Sequence, residues 1–485
     1  MTRAAALTTL AASALMAACG STGTSSAAAP APAPTAARAE AWVTTGDRTR
    51  LLQADEQGPA WAVDDGSAAD VVVDDTRRYQ EMVGFGASIT DASAYLLNQR
   101  LNATQRAALL RELFGRGAGG LGFHFTRLTI GASDFSSQHY SLDDRPPGTT
   151  DPSLQFFSID SARADLLPVM HEVLAINPAL QVMASPWSAP AWMKSTDSLI
   201  KGALKPEHYD AFARYLVRYV DAFAAEGVPV FALTVQNEPL FEPGDYPGMF
   251  VDAAARAALV GRYLGPLLEQ RGLKVQIIEW DHNWDNTQQA LTVLADPVAR
   301  RYISGVGWHC YAGDVSAQSV VHDAHPDKDT WFTECSGGEW KTNWAETLPW
   351  LARNIVIGST RHWARGVLMW NLALDERFGP HNGGCPNCRG VVTIDAATGA
   401  VTRNMEYYAL GHASRFVRPG ARRIDTPPPA NGLDTVAFRN ADDGSLVLIL
   451  CNSTAQSRTV SVRHGGRRLN YTMPRESLVT LTWTP

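Results

Sequence analysis

Phe231-Ala232-Leu233-Thr234-Val235-Gln236-Asn237-Glu238-Pro239 is a short apolar run that stops in amide and carboxylate residues. Seven other runs share this form, at 83–90, 125–131, 181–188, 275–281, 305–311, 331–336 and 366–374. Each is apolar and short, as a buried strand is, and each ends in polar or small residues. Amphipathic stretches lie between them at 103–114, 207–226, 253–270 and 344–357, with apolar residues recurring at helical spacing. Strand followed by helix, eight times over roughly 300 residues, predicts a (β/α)8 barrel, whose usual size is about 250 residues before insertions. A doubly wound open sheet is the alternative, and it normally carries a Gly-rich phosphate turn after its first strand. Here Gly84-Phe85-Gly86 is followed by no third glycine in register, so the pair reads as a close backbone approach rather than a nucleotide site.

The flanks read differently. Short β-like runs occupy 42–73, and alternating or apolar runs separated by turn residues occupy 436–439, 446–451, 458–462 and 478–482. The expected architecture is α/β: a (β/α)8 TIM barrel with a discontinuous antiparallel β-sandwich side domain. The divisions are a signal peptide at 1–18, an Ala/Pro/Ser-rich linker at 19–40, N-terminal strands of the side domain at 41–81, the barrel at 82–414 and the rest of the side domain at 415–485.

Arg3 followed by a short stretch of small and apolar residues reads as an export signal, too short for a stable membrane span. Leu15-Met16-Ala17-Ala18-Cys19-Gly20 resembles a bacterial lipoprotein signal with Cys19 lipidated. Plain secretion, with cleavage after Ala37-Arg38-Ala39, is the rival. Contact with a membrane is expected only through that lipid anchor. The net charge of −7, with no dense Lys/Arg run, argues against nucleic acid as a partner. Fourteen tryptophans and thirteen tyrosines are a supply of flat side chains, most of them for the core and a few for sugar faces. Cys385-Pro386-Asn387-Cys388 lies in a Gly/Pro/Asn-rich loop without a second pair to complete a zinc site. It ranks as a loop-stapling disulfide first, free thiols next and a metal site last; no metal or cofactor is expected.

In a barrel, chemistry gathers at the C-terminal ends of strands. The fourth run ends in Asn237-Glu238-Pro239 and the seventh in Thr333-Glu334-Cys335-Ser336. The glutamates are 334 − 238 = 96 residues apart, which over three βα units is an ordinary repeat. Strands four and seven face each other across the mouth, so the two carboxylates converge there. Such a pair suits glycoside hydrolysis, one protonated to assist the leaving oxygen and one ionised to attack the anomeric carbon. Taken alone, either glutamate is more simply a solvated strand-end residue.

Five further segments bring a resemblance. Gly84 through Asp91, Arg127 through Ser136, Ala184 through Lys194, Gln236-Asn237-Glu238-Pro239 and Trp370 through Leu374 together resemble glycoside hydrolase family 30, which includes glucosylceramidases and endo-β-1,6-glucanases. The similarity covers roughly residues 80–420 closely and the side domain more loosely. It implies that Glu238 is the acid/base and Glu334 the nucleophile. It also implies that Asn237 bonds the sugar 2-hydroxyl and that Arg127 holds the nucleophile ionised. Asp134, Trp187 and Trp370 would bind the sugar, and Tyr311 would contact the nucleophile. His309 is either a substrate contact or a satisfied histidine under the site, and Tyr246 is a candidate rim residue. The Cys385–Cys388 loop looks more like the β-1,6-glucanase branch. Cys335, directed away from the barrel interior by strand alternation, is read as packing. The function implied is an exported retaining β-glycosidase that hydrolyses β-glucosidic bonds in a β-glucan or glucoside by a two-glutamate double displacement, as an endo-β-1,6-glucanase. Glucosylceramide hydrolysis is the first alternative, and a non-catalytic carbohydrate-binding lipoprotein on the same fold is the second.

Overall fold

The computed structural model describes residues 38–485. The signal segment and Cys19 lie outside the described residues. Eight parallel strands form the central sheet: β1 Gly84–Ser88, β2 Phe125–Ile130, β3 Gln181–Pro186, β4 Ala232–Thr234, β5 Gln276–Asn283, β6 Ile303–His309, β7 Asp329–Glu334 and β8 Ala364–Asn371. They run in the order β1-β8-β7-β6-β5-β4-β3-β2, each beside its chain neighbour. The ring is completed between β1 and β2, where His124 N donates to Phe85 O and Ile89 N to Arg127 O. Gly86 makes this possible: a Cβ there would lie 1.9 Å from Phe125 O. The glycine pair is thus a close backbone approach, as its spacing implied.

Parallel barrel strands are covered on both faces, which is why all eight appear in the sequence as continuous apolar runs. The interior is plugged by Phe125, Met183, Ala232, Ile278, Trp331 and Leu368, from six different strands. Above that plug the inward side chains become polar, and the site begins there.

The expected helices are present at Ala103–Phe114 and Tyr209–Ala225. The stretch from 344 is helical over Trp344–Leu351 and then widens into a π-turn segment, Ala352–Gly358. Pro349 lies inside that helix, where it offers no N–H and its ring crowds the preceding turn.

Chain ends meet in the side domain. Glu40–Thr45 pairs antiparallel with Ser477–Trp483 in a seven-stranded sheet that also includes Asp74–Glu81. A four-stranded sheet joins Val71–Val72 to Arg458–His464 and Ala62–Val63 to Arg467–Met473. Segments before and after the barrel therefore share one core. His412, fully buried on helix Met405–Ser414, bonds Thr44 and Thr480 and ties that sheet to the barrel's last helix.

Candidate active site

The side chains that matter sit at the C-terminal ends of β2 to β8, around a cleft of about 600 Å³. Arg127 on β2 is the hub. It is fully buried, with Nη1 on Glu334 Oε2 at 2.5 Å, Nη2 on Asn237 Oδ1 at 2.7 Å and on Asp281 Oδ2 at 2.8 Å, and Nε on Ser185 Oγ at 3.2 Å. Its guanidinium also lies 4.9 Å from the Trp187 ring and 5.6 Å from that of Trp370. Those two indoles stack with centroids 5.0 Å apart and form a flat apolar wall to the cleft. A buried guanidinium is tolerable only when its charge and its donors are both answered, and here they are.

Asp281, at the end of β5, answers much of that charge. It also accepts from Thr234 Oγ1, Ser185 Oγ, Thr333 Oγ1 and His309 Nε2. Burial alone would push this carboxyl up, but Arg127 and His309 outweigh it and hold Asp281 well below the usual carboxylate range. The strand bulges to deliver it: the β5–β6 register shifts between Trp280 and His282, and Trp280 and Asp281 take φ of 72° and 52°. Glu238 has φ 50° and donates its N–H to Asp281 O at 3.1 Å. Three non-glycine residues in the left-handed region within one site are strain that its bonds hold in place.

Glu334 ends β7, just past a register shift against β6 between Phe332 and Glu334. Its Oε1 accepts from Tyr311 Oη at 2.9 Å while Oε2 accepts from Arg127. Glu238 Oε1 lies 3.0 Å from His309 Nδ1 and 3.7 Å from His282 Nε2. Burial raises the Glu334 carboxyl, and the nearby His309 and Arg127 charges only partly offset it. Burial would also raise Glu238, but the His309 hydrogen bond and the neighbouring His282 bring it below its ordinary value. Burial would lower His309, yet Glu334, Asp281 and Glu238 around it raise it to about 9.

One oxygen of each glutamate and one nitrogen of His309 lie within 4.8 Å of one another, a grouping that a metal ion also favours. Both His309 nitrogens are already spent on Glu238 and Asp281, so the group is satisfied as a proton-sharing cluster.

Of the residues expected at the site, Glu238, Glu334, Asp134, Trp187, Asn237, Tyr246, Tyr311 and Trp370 all line the cleft. Arg127, expected to hold the nucleophile, and His309, left open between a substrate contact and a satisfied histidine, are both fully buried beneath the cleft with their polar atoms engaged by protein groups. His309 is the satisfied histidine of the two readings. Cys385 and Cys388 are joined, and their loop stands over the cleft, with Asn382 N on Asp134 O and Gly384 N on Asp245 Oδ2. Cys335 is buried in the core, as the packing reading implied. It is bonded to Cys310, and the two cysteines follow His309 and Glu334, paired residues at the tips of β6 and β7. Asp281 and His282 were missed. The signal was there, since the fifth apolar run ends in Asp281 as the fourth and seventh end near their glutamates.

Comparison with known proteins agrees with this geometry. The family model for the glycosyl hydrolase family 30 TIM-barrel domain matches residues 82–417, and that for the family 30 beta sandwich domain matches 420–481. An endo-1,6-beta-D-glucanase of Neurospora crassa is 35% identical over 410 residues, covering 81% of this chain and 83% of that protein. The lysosomal acid glucosylceramidase of Mus musculus is 28% identical over 406 residues, covering 78% and 76%. A solved endo-beta1,6-glucanase superposes with a TM-score of 0.85 at 33% identity, covering 92% of this chain and 99% of that one. With both its domains matched and its paired carboxylates at the barrel mouth, the chain belongs to glycosyl hydrolase family 30 and is a glycoside hydrolase.

Proposed function

We propose that this glycosidase is an exported, retaining endo-β-1,6-glucanase in which Glu334 is the nucleophile and Glu238 the acid/base. The observation that carries the retaining reading is the approach of the two carboxylates, whose nearest oxygens lie within 4.8 Å. Retaining pairs stand about 5–5.5 Å apart, whereas inverting pairs stand about 6.5–9.5 Å apart to admit the attacking water.

In the first step Glu334 attacks the anomeric carbon as Glu238 protonates the departing glycosidic oxygen, and a glycosyl ester forms. In the second, Glu238 takes a proton from water, the water oxygen attacks the same carbon, and Glu334 is released. Taken singly, the two carboxyl shifts would leave the proton on Glu334 rather than Glu238. The hydrogen bonds support the opposite assignment. Both oxygens of Glu334 already face donors, Arg127 and Tyr311, so a proton there has no acceptor. Between Glu238 Oε1 and His309 Nδ1 a single proton can sit on either atom. A bound sugar strips the remaining water from Glu238 and favours its neutral form. Asn237 is positioned by Arg127 for the sugar 2-hydroxyl, and the Trp187–Trp370 wall and Asp134 are the sugar-binding surface. Arg127, beneath them, keeps Glu334 ionised and oriented.

The linkage reading is supported by relatives named endo-1,6-beta-glucanases at 33–35% identity, above the 28% of the mouse glucosylceramidase. The disulfide-stapled loop beside Asp134 supports it as well, being a polar wall rather than a landing zone for acyl chains. Export rests on the N-terminal signal, with Cys19 as the lipidated residue; detergent partitioning that Cys19→Ala abolishes is expected, and a freely soluble wild type refutes lipidation in favour of plain secretion. Proton NMR of the first-formed sugar from a β-1,6-gluco-oligosaccharide tests the mechanism. A β-anomer is expected, and an initial α-anomer refutes retention. Higher kcat/KM on glucosylceramide in mixed micelles than on the oligosaccharide refutes the linkage.

A further inference from the structure

Beyond the catalytic cleft, on the β6–β7 side, lies a second cavity of about 490 Å³. Tyr311 and Trp340 line both cavities, so these two side chains stand at the boundary between them. Three large aromatic side chains there are open to solvent: Tyr311 is 44%, Trp340 49% and Trp350 43% exposed. Aromatic surface left exposed in a concave, partly polar setting marks a binding site rather than a core.

The setting is built and stiff. The floor is the Cys310–Cys335 disulfide, at the tips of β6 and β7. Trp340 lies against backbone that pairs with the Cys385–Cys388 loop, Gly337 opposite Arg389 and Gly338 opposite Cys388. Glu339 N adds a hydrogen bond to Asn387 O at 3.0 Å. Gly338 is required: a Cβ there would stand 1.9 Å from the Trp340 ring, so only glycine lets the indole lie down on the strand. On the far side Trp350 projects from helix Trp344–Leu351. Thr347 on the same helix lines the cavity, and its buried hydroxyl has no hydrogen-bond partner among the described residues. Glu346 and Lys341 supply charged groups able to bond sugar hydroxyls.

We infer that the cavity between Trp340 and Trp350 is a distal carbohydrate subsite, which takes glucosyl units of the same chain whose scissile bond lies between Glu238 and Glu334. The inference rests on the β-glucan reading above. A chain leaving the cleft past Tyr311 meets Trp340 first and Trp350 next, and the C–H faces of its rings can stack on both. Such remote contacts bind long substrates and leave short ones unaffected.

The test is kcat/KM of the wild type and Trp350→Ala on β-1,6-gluco-oligosaccharides of increasing length, with an aryl β-glucoside as the short reference. Wild-type efficiency is expected to climb with length, and Trp350→Ala to lose about tenfold on the long members while changing by less than about twofold on the aryl glucoside. Trp350→Phe, which keeps a smaller aromatic face, should recover part of the loss. An unchanged length profile in Trp350→Ala, or an equal loss on long and short substrates, overturns the subsite alone. A wild type that turns over the aryl glucoside but none of the oligosaccharides overturns the linkage reading and the subsite with it.

Discussion

The two glutamates occupy opposite sides of one cleft and are held in opposite ways. Glu334 is the last residue of a barrel strand, in extended backbone, and each of its oxygens is fixed by a donor, one of them a fully buried arginine. Glu238 lies four residues beyond Thr234, the last residue of β4, in left-handed backbone, with one oxygen 3.0 Å from a histidine nitrogen. The difference teaches how one pocket divides labour between identical side chains. A nucleophile has to be ionised and aimed, which favours many donors on stiff backbone. An acid/base has to release and regain a proton, which favours one titratable partner of adjustable charge.

The largest expected effect separates the two roles. Glu334→Ala should lower kcat/KM by at least about 10⁴-fold on every substrate, because the covalent route is lost. Glu238→Ala should lose about 10²–10⁴-fold on unactivated glucan but far less on an aryl glucoside whose leaving group needs no proton. Steady-state kinetics on both substrates read this directly, and equal defects across them would erase the distinction.

Next comes the charge that both glutamates lean on. Asp281 faces Arg127 on one side and His309 on the other, with all three fully buried. Asp281→Asn keeps the shape and removes the countercharge, leaving a buried guanidinium undercompensated. A loss of about 3–5 kcal/mol is expected from breaking a buried pair on one side only. Denaturant melts would report it, and a neutral outcome would mean that Glu334 alone balances Arg127.

The smallest effect concerns pH. His309 is raised above its ordinary 6.5 to about 9. A group whose value is higher in the folded protein adds stability that is complete below its unfolded value and fades as pH climbs through the folded one. The contribution of His309 is therefore whole below about pH 6.5 and gone above about pH 9. Melting temperatures of the wild type should fall more steeply across that window than those of His309→Asn. Parallel slopes would show that His309 does not change charge in this range and that the Glu238 side is held by a neutral imidazole.

How much of this was readable beforehand follows the same division. Strand periodicity is local, and parallel strands buried on both faces leave uninterrupted apolar runs, so all eight barrel strands and the two glutamates at their tips were legible in order. The polar residue ending a run marked Glu238 and Glu334, and by the same rule it marked Asp281, although nothing in a linear chain says that its carboxylate would sit beneath the other two. Pairing across the barrel was not legible. That Cys310 meets Cys335 depends on the register of β6 against β7, where His309 stands opposite Glu334 and brings the following cysteines to a Cα separation of 5.3 Å. That Arg127 and His309 lie under the floor rather than in the cleft depends on side chains from six strands, β2 to β7, converging at one depth. The bulge at Trp280–Asp281 and the left-handed turn at Glu238 are likewise products of tertiary closure, because only the surrounding hydrogen bonds make those backbone angles stable. The chain by itself determined which chemical groups reach the mouth of the barrel; the closed sheet decided which of them line the cleft and which lie buried beneath it, since that depends on distances between residues far apart in sequence.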